Sequence, residues 1–359
     1  MTKKKIGVLN FQYSTHNYGA VLQAAALEYI LKAEGHDVEH INFIPSFRKR
    51  SLKGIVKKVL LSLGIFKFKQ KAKPGNSEAF ERFRTQFLTR SSKIITPEQF
   101  SELANKYDLV VVGSDQVWRP RMAADPAAFF LLYVPDGVER VSYAASFGAR
   151  EWESEADASI TSLAKTELTK FKAVSCRETS GVEICKSVFG VDAVHVLDPL
   201  LQVSDSFIDK VLNVANPSNK KLVYYKLDYD EEFIASLKEI EQQKGIGAHN
   251  LYRKNGELND YEEVSQWIRN IYDSEIVVSD SFHCICLALR FGKRVIYCPN
   301  PKRGQARLDD LFAYLDIETI IMSKATTKGL FELKCKGNLI DTLNRLRNSS
   351  SRFIDFAIN

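Results

Sequence analysis

The chain has 359 residues, of which 45% are hydrophobic and 26% charged, and it carries a net charge of +6. That length exceeds what one typical core fills, so two domains are the default, and the composition is that of an ordinary globular protein. The positive balance suits an anionic small substrate or surface, but it is too diluted along the chain to argue for nucleic acid.

The opening MTKKKIGVLNF is too short an apolar stretch for a signal peptide. Ile6 to Phe11 predicts a buried first strand. A polar turn follows, then a helix from about Gly19 to Lys32, then a second strand from Val38 to Ile44. The chain thus opens with a βαβ unit, but without a G-x-G-x-x-G or a P-loop. Asn17 can cap the helix or face a ligand, Gly19 permits close backbone approach, and His16 reads as a turn residue. Residues 48–73 are basic and amphipathic, the pattern of a solvated helix docked on its own domain or of a peripheral membrane contact. Ser77 to Leu88 and Pro97 to Asn105 are further helices without chemistry.

Asp108 to Val112 is a strong strand that runs into Gly113, Ser114, Asp115, Gln116, Val117 and Trp118. Small and polar residues at a strand end make a ligand loop, in which Trp118 either stacks on a sugar or anchors the core. Val141 to Ala145 is the next strand, and after Ser146-Phe147-Gly148 a long helix is expected to about Lys172. Ala173 to Ser175 then ends at Cys176-Arg177-Glu178. Arginine just past a strand end grips a carboxylate or phosphate in two-pronged fashion, or pairs with a structural acid. A helix from Ser180 to Val188 and a strand near Ala193 to Val196 follow, and His195 reads as structural.

From Lys221 the alternation restarts with a strand at Leu222 to Tyr225, a helix at Glu231 to Gln243, a strand near His249 to Tyr252 and a helix at Tyr261 to Tyr272. Ile276 to Arg294 is a complete strand–turn–helix unit. Its turn (Ser279, Asp280, Ser281) leads into an apolar helix whose first turn holds His283. Unpaired N–H groups and the helix dipole favour an anion there, and open α/β sheets bind ligands at that end. Strand Val295 to Cys298 leads to the basic loop Lys302, Arg303 and Arg307, a phosphate cradle at a helix start. Ile340 to Phe356 closes the chain as helix. The six cysteines show no C-x-x-C spacing. Zinc is therefore not expected, and reduced thiols in a cytoplasmic protein are. No apolar run is long enough to span a membrane.

Seven blocks in order, HNYGAVLQAAALEYIL, VVGSDQVW, SYAASFG, SCRE-x-SG, VLDPLL, SDSFH and KRG-x-x-R, resemble the polysaccharide pyruvyl transferase family from about residue 5 to 312. Some members carry arginine where this chain has Ser281, and the small residue after the histidine is Cys284 here. The resemblance implies an α/β fold of two Rossmann-like domains facing across a cleft, similar to GT-B glycosyltransferases. The expected division is 1–194, the acceptor side, and 195–359, the donor side, with C-terminal helices packing back.

The resemblance also implies transfer of a pyruvyl group from phosphoenolpyruvate to two hydroxyls of a sugar, which can be lipid-linked, at the inner membrane face. Arg177 and His283 are then the catalytic pair, and no metal or cofactor is expected. Ser281, Lys302, Arg303 and Arg307 would hold the donor. Asn17, Gly19, Gln23, Ser114, Asp115, Gln116 and Trp118 would face the acceptor. The rivals are a nucleotide-sugar glycosyltransferase of GT-B type and a binding protein without turnover.

Overall fold

The computed structural model describes residues 2–45, 78–154, 157–226, 228, 230–252, 260–300, 306–323 and 330–359. The expected basic stretch 48–73 and the cations Lys302 and Arg303 lie outside the described residues. In the N-terminal half, β1 (Lys5–Leu9), β2 (Asp37–His40), β3 (Leu109–Val112) and β4 (Glu139–Ser142) form a parallel sheet in the order β2-β1-β3-β4. All four residues of β3 are buried, as a strand covered on both faces requires. A short parallel pair, β5 (Ser175–Cys176) and β6 (Val194–His195), continues beside β4 through the bridges Val141–Ala173 and Ala145–Cys176.

The long helix expected after Gly148 is shorter, spanning Ala158–Leu168. Asp157 starts it by accepting from the N–H groups of Ser159 and Ile160. Ahead of it Trp152 is drawn into the core, with its indole N–H on Thr161 at 2.9 Å. Burial of that indole holds the chain in an irregular path where propensity alone favours helix.

In the C-terminal half, β7 (Leu222–Tyr225), β8 (Ala248–Asn250), β9 (Ile276–Ser279) and β10 (Arg294–Tyr297) are parallel. Two further strands, β11 (Ile317–Ser323) and β12 (Leu330–Cys335), add antiparallel to give the order β11-β12-β10-β9-β7-β8. This edge pair was not expected from the sequence. Its outer strand leaves Ile320 and Ile321 partly in solvent, and the short run Ile320-Ile321-Met322 does not by itself announce a strand.

The two halves share one core. The helix Tyr18–Ala33 is buried nearly all round, which a helix sandwiched between layers requires. Its Val21 and Leu22 join Cys284 and Leu287 of the helix Phe282–Arg290 in a single cluster. Tyr18 stacks on Trp267 at 4.9 Å and donates its hydroxyl to the carbonyl of Glu262. The C-terminal helix Leu339–Ile358 returns to the first half: its Ser350 accepts from Leu197 N, and Phe353 lies 6.4 Å from Tyr143. No described helix is long and apolar enough to cross a membrane.

Candidate active site

The carboxyl ends of β3, β5 and β9 bring their loops to one place between the halves. After β3 the chain turns sharply: Gly113 has φ 119° and a Cβ there would stand 2.2 Å from the carbonyl of Tyr143, so only glycine fits. Asp115 follows with φ 79°, a left-handed conformation that aspartate tolerates. After β5 comes Arg177. After β9 the turn Asp280-Ser281 leads into the helix Phe282–Arg290, which carries His283 in its first turn.

Arg177 is wholly buried and organises the site. Its Nη1 donates to Asp198 Oδ2 at 3.0 Å and lies 3.1 Å from Nε2 of His283, while Nη2 donates to Asp115 Oδ1 at 3.2 Å. Asp198 Oδ2 also accepts from Ser114 Oγ at 3.1 Å, and Oδ1 caps the turn at Leu200 N. The ring of Phe282 carries Arg177 at 4.4 Å and Arg307 at 5.8 Å from its centroid. His283 is 5% exposed. A guanidinium N–H can only donate, so with Nε2 unprotonated the ring accepts from Arg177. With Nε2 protonated it faces Asp198 Oδ2 at 3.6 Å. Only the first has a partner within hydrogen-bond distance. Gly19 closes the other side, where a Cβ would sit 2.1 Å from Nδ1 of His283.

The electrostatics follow from this crowding. Burial pushes the Asp198 and Asp115 carboxyls up. For Asp198 the hydrogen bond and charge of His283, then Arg177, outweigh burial and hold it well below the usual carboxylate range. For Asp115, Arg177, His283 and Arg307 do the same. Arg177 is raised, because Asp115, Asp198 and Glu178 outweigh its desolvation. Arg307 moves the other way: burial and the neighbouring Arg177 bring it down to about 10. A cation disfavoured by its surroundings gains from an arriving anion.

A cavity of about 260 Å³ opens on this cluster. His16, Asn17, Asp115, Gln116 and Met122 line it from the first half, and Tyr225, Tyr252, Asp280, Ser281, Phe282, His283 and Arg307 from the second. Asn17 both caps its helix, accepting from Ala20 N at 3.2 Å, and reaches the wall.

Three expected acceptor contacts are corrected. Trp118 is fully buried, gives its N–H to the carbonyl of Phe129 at 3.0 Å and stacks on Phe130, so it anchors the core and offers no face to a sugar. Gln23 is fully buried one turn below Gly19 and donates back to the carbonyl of Ala20. Ser114 is fully buried and spends its hydroxyl on Asp198 and Ala144. His195 is structural, stacked on Tyr314 at 3.7 Å with Nε2 at the carbonyl of Arg177.

The sequence reading missed Asp198, Glu178 and Asp280 as site residues. Asp198 and Glu178 stand inside blocks already recognised, VLDPLL and SCRE, where a proline or an arginine beside an acid was the available signal. Asp280 marks the end of β9 and accepts from Lys226 at 3.1 Å and Asn300 at 2.8 Å, partners from the neighbouring strand ends that no local pattern joins.

Comparison with known proteins adds one family. A family model for polysaccharide pyruvyl transferase matches residues 17–301. Among curated proteins none matches the sequence. Solved structures include a Listeria monocytogenes protein assigned as a UDP-N-acetylglucosamine 2-epimerase, at 11% identity and TM-score 0.48, covering 86% of this chain and 82% of that one. The Neisseria meningitidis UDP-GlcNAc 2-epimerase bound to UDP-GlcNAc has 13% identity and TM-score 0.44, with 98% and 94% covered. The E. coli heptosyltransferase WaaC with ADP has 13% identity and TM-score 0.42, with 83% and 88% covered. All three likenesses are distant.

Proposed function

Because the chain belongs to the polysaccharide pyruvyl transferase family, we propose that it transfers the pyruvyl group of phosphoenolpyruvate to a sugar, forming a cyclic ketal and releasing phosphate. The sugar belongs to a cell-surface polysaccharide or its lipid-linked precursor. The observation that carries this reading is the buried contact of His283 with Arg177 and Asp198 beside a cavity edged by Arg307. The donor is a polyanion. Arg307 and the start of the helix Phe282–Arg290, with Ser281 as its first flanking residue, offer it charge and N–H groups. Lys302 and Arg303, which precede Arg307 in the sequence, would add charge.

In this reading Arg177 orients more than it grips, since its Nη groups already donate to Asp198 and Asp115. The imidazole of His283 takes the proton of the attacking hydroxyl as its oxygen bonds to the enol carbon. The same proton passes to the methylene carbon, which becomes the methyl group, and the ring returns to neutral. The second hydroxyl then displaces phosphate, and its proton leaves with that group. The acceptor lies toward Asn17, Asp115 and Gln116, with Gly19 shaping the wall behind His283.

Thermal stability tests the donor. Phosphoenolpyruvate at about 100 times its Kd should stabilise by about 2.7 kcal/mol, and uridine diphosphate should not. A shift with the nucleotide alone would move the assignment to glycosyl transfer.

A further inference from the structure

Three carboxylates surround Arg177. Asp115 and Asp198 take its Nη donors. Glu178, the next residue, is also fully buried, yet it is held differently. Its Oε1 accepts from Phe147 N at 2.9 Å and Gly148 N at 3.3 Å. Its Oε2 has no hydrogen-bond partner among the described residues, and neither does Nε of Arg177, 3.7 Å away. That separation is too long for a hydrogen bond. An ionised oxygen without a partner is costly in a buried site, and a neutral carboxyl far less so.

Charge balance points the same way. The guanidiniums of Arg177 and Arg307 face Asp115, Asp198 and Glu178. With all three acids ionised and His283 neutral, the cluster carries an excess negative charge beside the cavity. With Glu178 neutral the charges cancel, and the helix start tips the balance toward an anion.

We infer that Glu178 stands in the resting site as a neutral carboxylic acid, a positioning residue whose missing charge leaves the positive field of Arg177 and Arg307 directed at the anionic donor. Burial raises its pKa more than Arg177, Ser146 and Arg307 lower it, the reverse of the outcome at Asp115 and Asp198. The other ionisable groups around it are Cys176, two residues back at the end of β5, and Asp310, which caps the neighbouring Ser180 from the helix Ala306–Tyr314. Glu178 does not line the cavity and acts only through the arginines. The inference rests on the proposed reaction for the identity of the anion alone.

Two measurements on the full chain test it. Infrared difference spectra of wild type against Glu178→Gln at pH 7 should contain a protonated-carboxyl stretch in wild type that the variant lacks. Inorganic sulfate, whose charge is constant in this range, should bind wild type about tenfold more weakly per pH unit above the carboxyl's folded pKa. In Glu178→Gln that decline should be absent. No such stretch, or its survival in the variant, overturns the inference. Should Glu178→Gln fail to fold, carbon-13 spectra of glutamate-labelled wild type give the same answer: a protonated, solvent-shielded glutamate at pH 7 supports it, and full ionisation overturns it. Phosphoenolpyruvate failing to bind while the stretch is present counts against the proposed reaction, not against neutral Glu178.

Discussion

Nε2 of His283 lies 3.1 Å from Nη1 of Arg177, although 106 residues separate them and each comes from a different sheet. The contact exists only because the halves share a core, in which Tyr18 stacks on Trp267 and the C-terminal helix returns to β4's neighbourhood. The imidazole and the guanidinium are therefore assembled without any ligand, which in the proposed reaction would lower the cost of reaching a reactive geometry.

His283→Gln should keep the fold and the stabilisation by phosphoenolpyruvate but lose roughly 10²–10⁴-fold in phosphate release, the usual contribution of a general acid–base group. Release at the wild-type rate would remove His283 from the proton path.

Gly19→Ala places a methyl 2.1 Å from Nδ1 of His283, in a site walled by Arg177 behind. The ring must move, at a cost of about 1–3 kcal/mol for overpacking. Chemical denaturation should register that loss, and turnover should fall with it. A variant as stable and active as wild type would mean that the ring has room to shift harmlessly.

Asp198→Ala leaves Arg177 buried with a partner missing and frees Ser114 and Leu200 N as well. Breaking one side of a buried ionic group costs about 3–5 kcal/mol, readable as a lower denaturation midpoint. Trp118→Phe is the contrasting case. It should cost about 1–3 kcal/mol through the orphaned carbonyl of Phe129 while donor and acceptor KM stay at their wild-type values, because the indole never meets the cavity.

Acid should unfold the protein through the same cluster. Asp115 and Asp198 have folded pKa values below their ordinary ones, so their stabilisation is present above the unfolded value and is lost as pH falls through the folded one. Urea midpoints should drop steeply below about pH 4, and less steeply in Asp198→Asn. Glu178 has the opposite sign. Its raised pKa contributes stability at low pH that disappears as pH rises through its folded value, so Glu178→Gln should gain on wild type in alkaline buffer.

Much of this was legible in the chain. The apolar runs of β1, β3, β7, β9 and β10, the capping Asn17 and the polar turns at strand ends are local patterns, and local patterns are what strands and helix starts require. Arg177 stood out directly after a strand end and His283 in the first helical turn after one, where parallel sheets place ligands. Residue type and neighbours along the chain therefore determined the α/β alternation, the two key side chains and the family.

Only tertiary structure decided which way those loops point. Whether Trp118 faces a sugar or Phe130, whether Ser114 meets solvent or Asp198, and whether Glu178 finds a partner depend on what packs from distant segments. The antiparallel pair β11 and β12 offered only the short apolar run Ile320-Ile321-Met322, which by itself does not tell strand from helix. Spacing in sequence sets the secondary element, but burial, and with it the charge state and partner of each polar group, is a property of the assembled core.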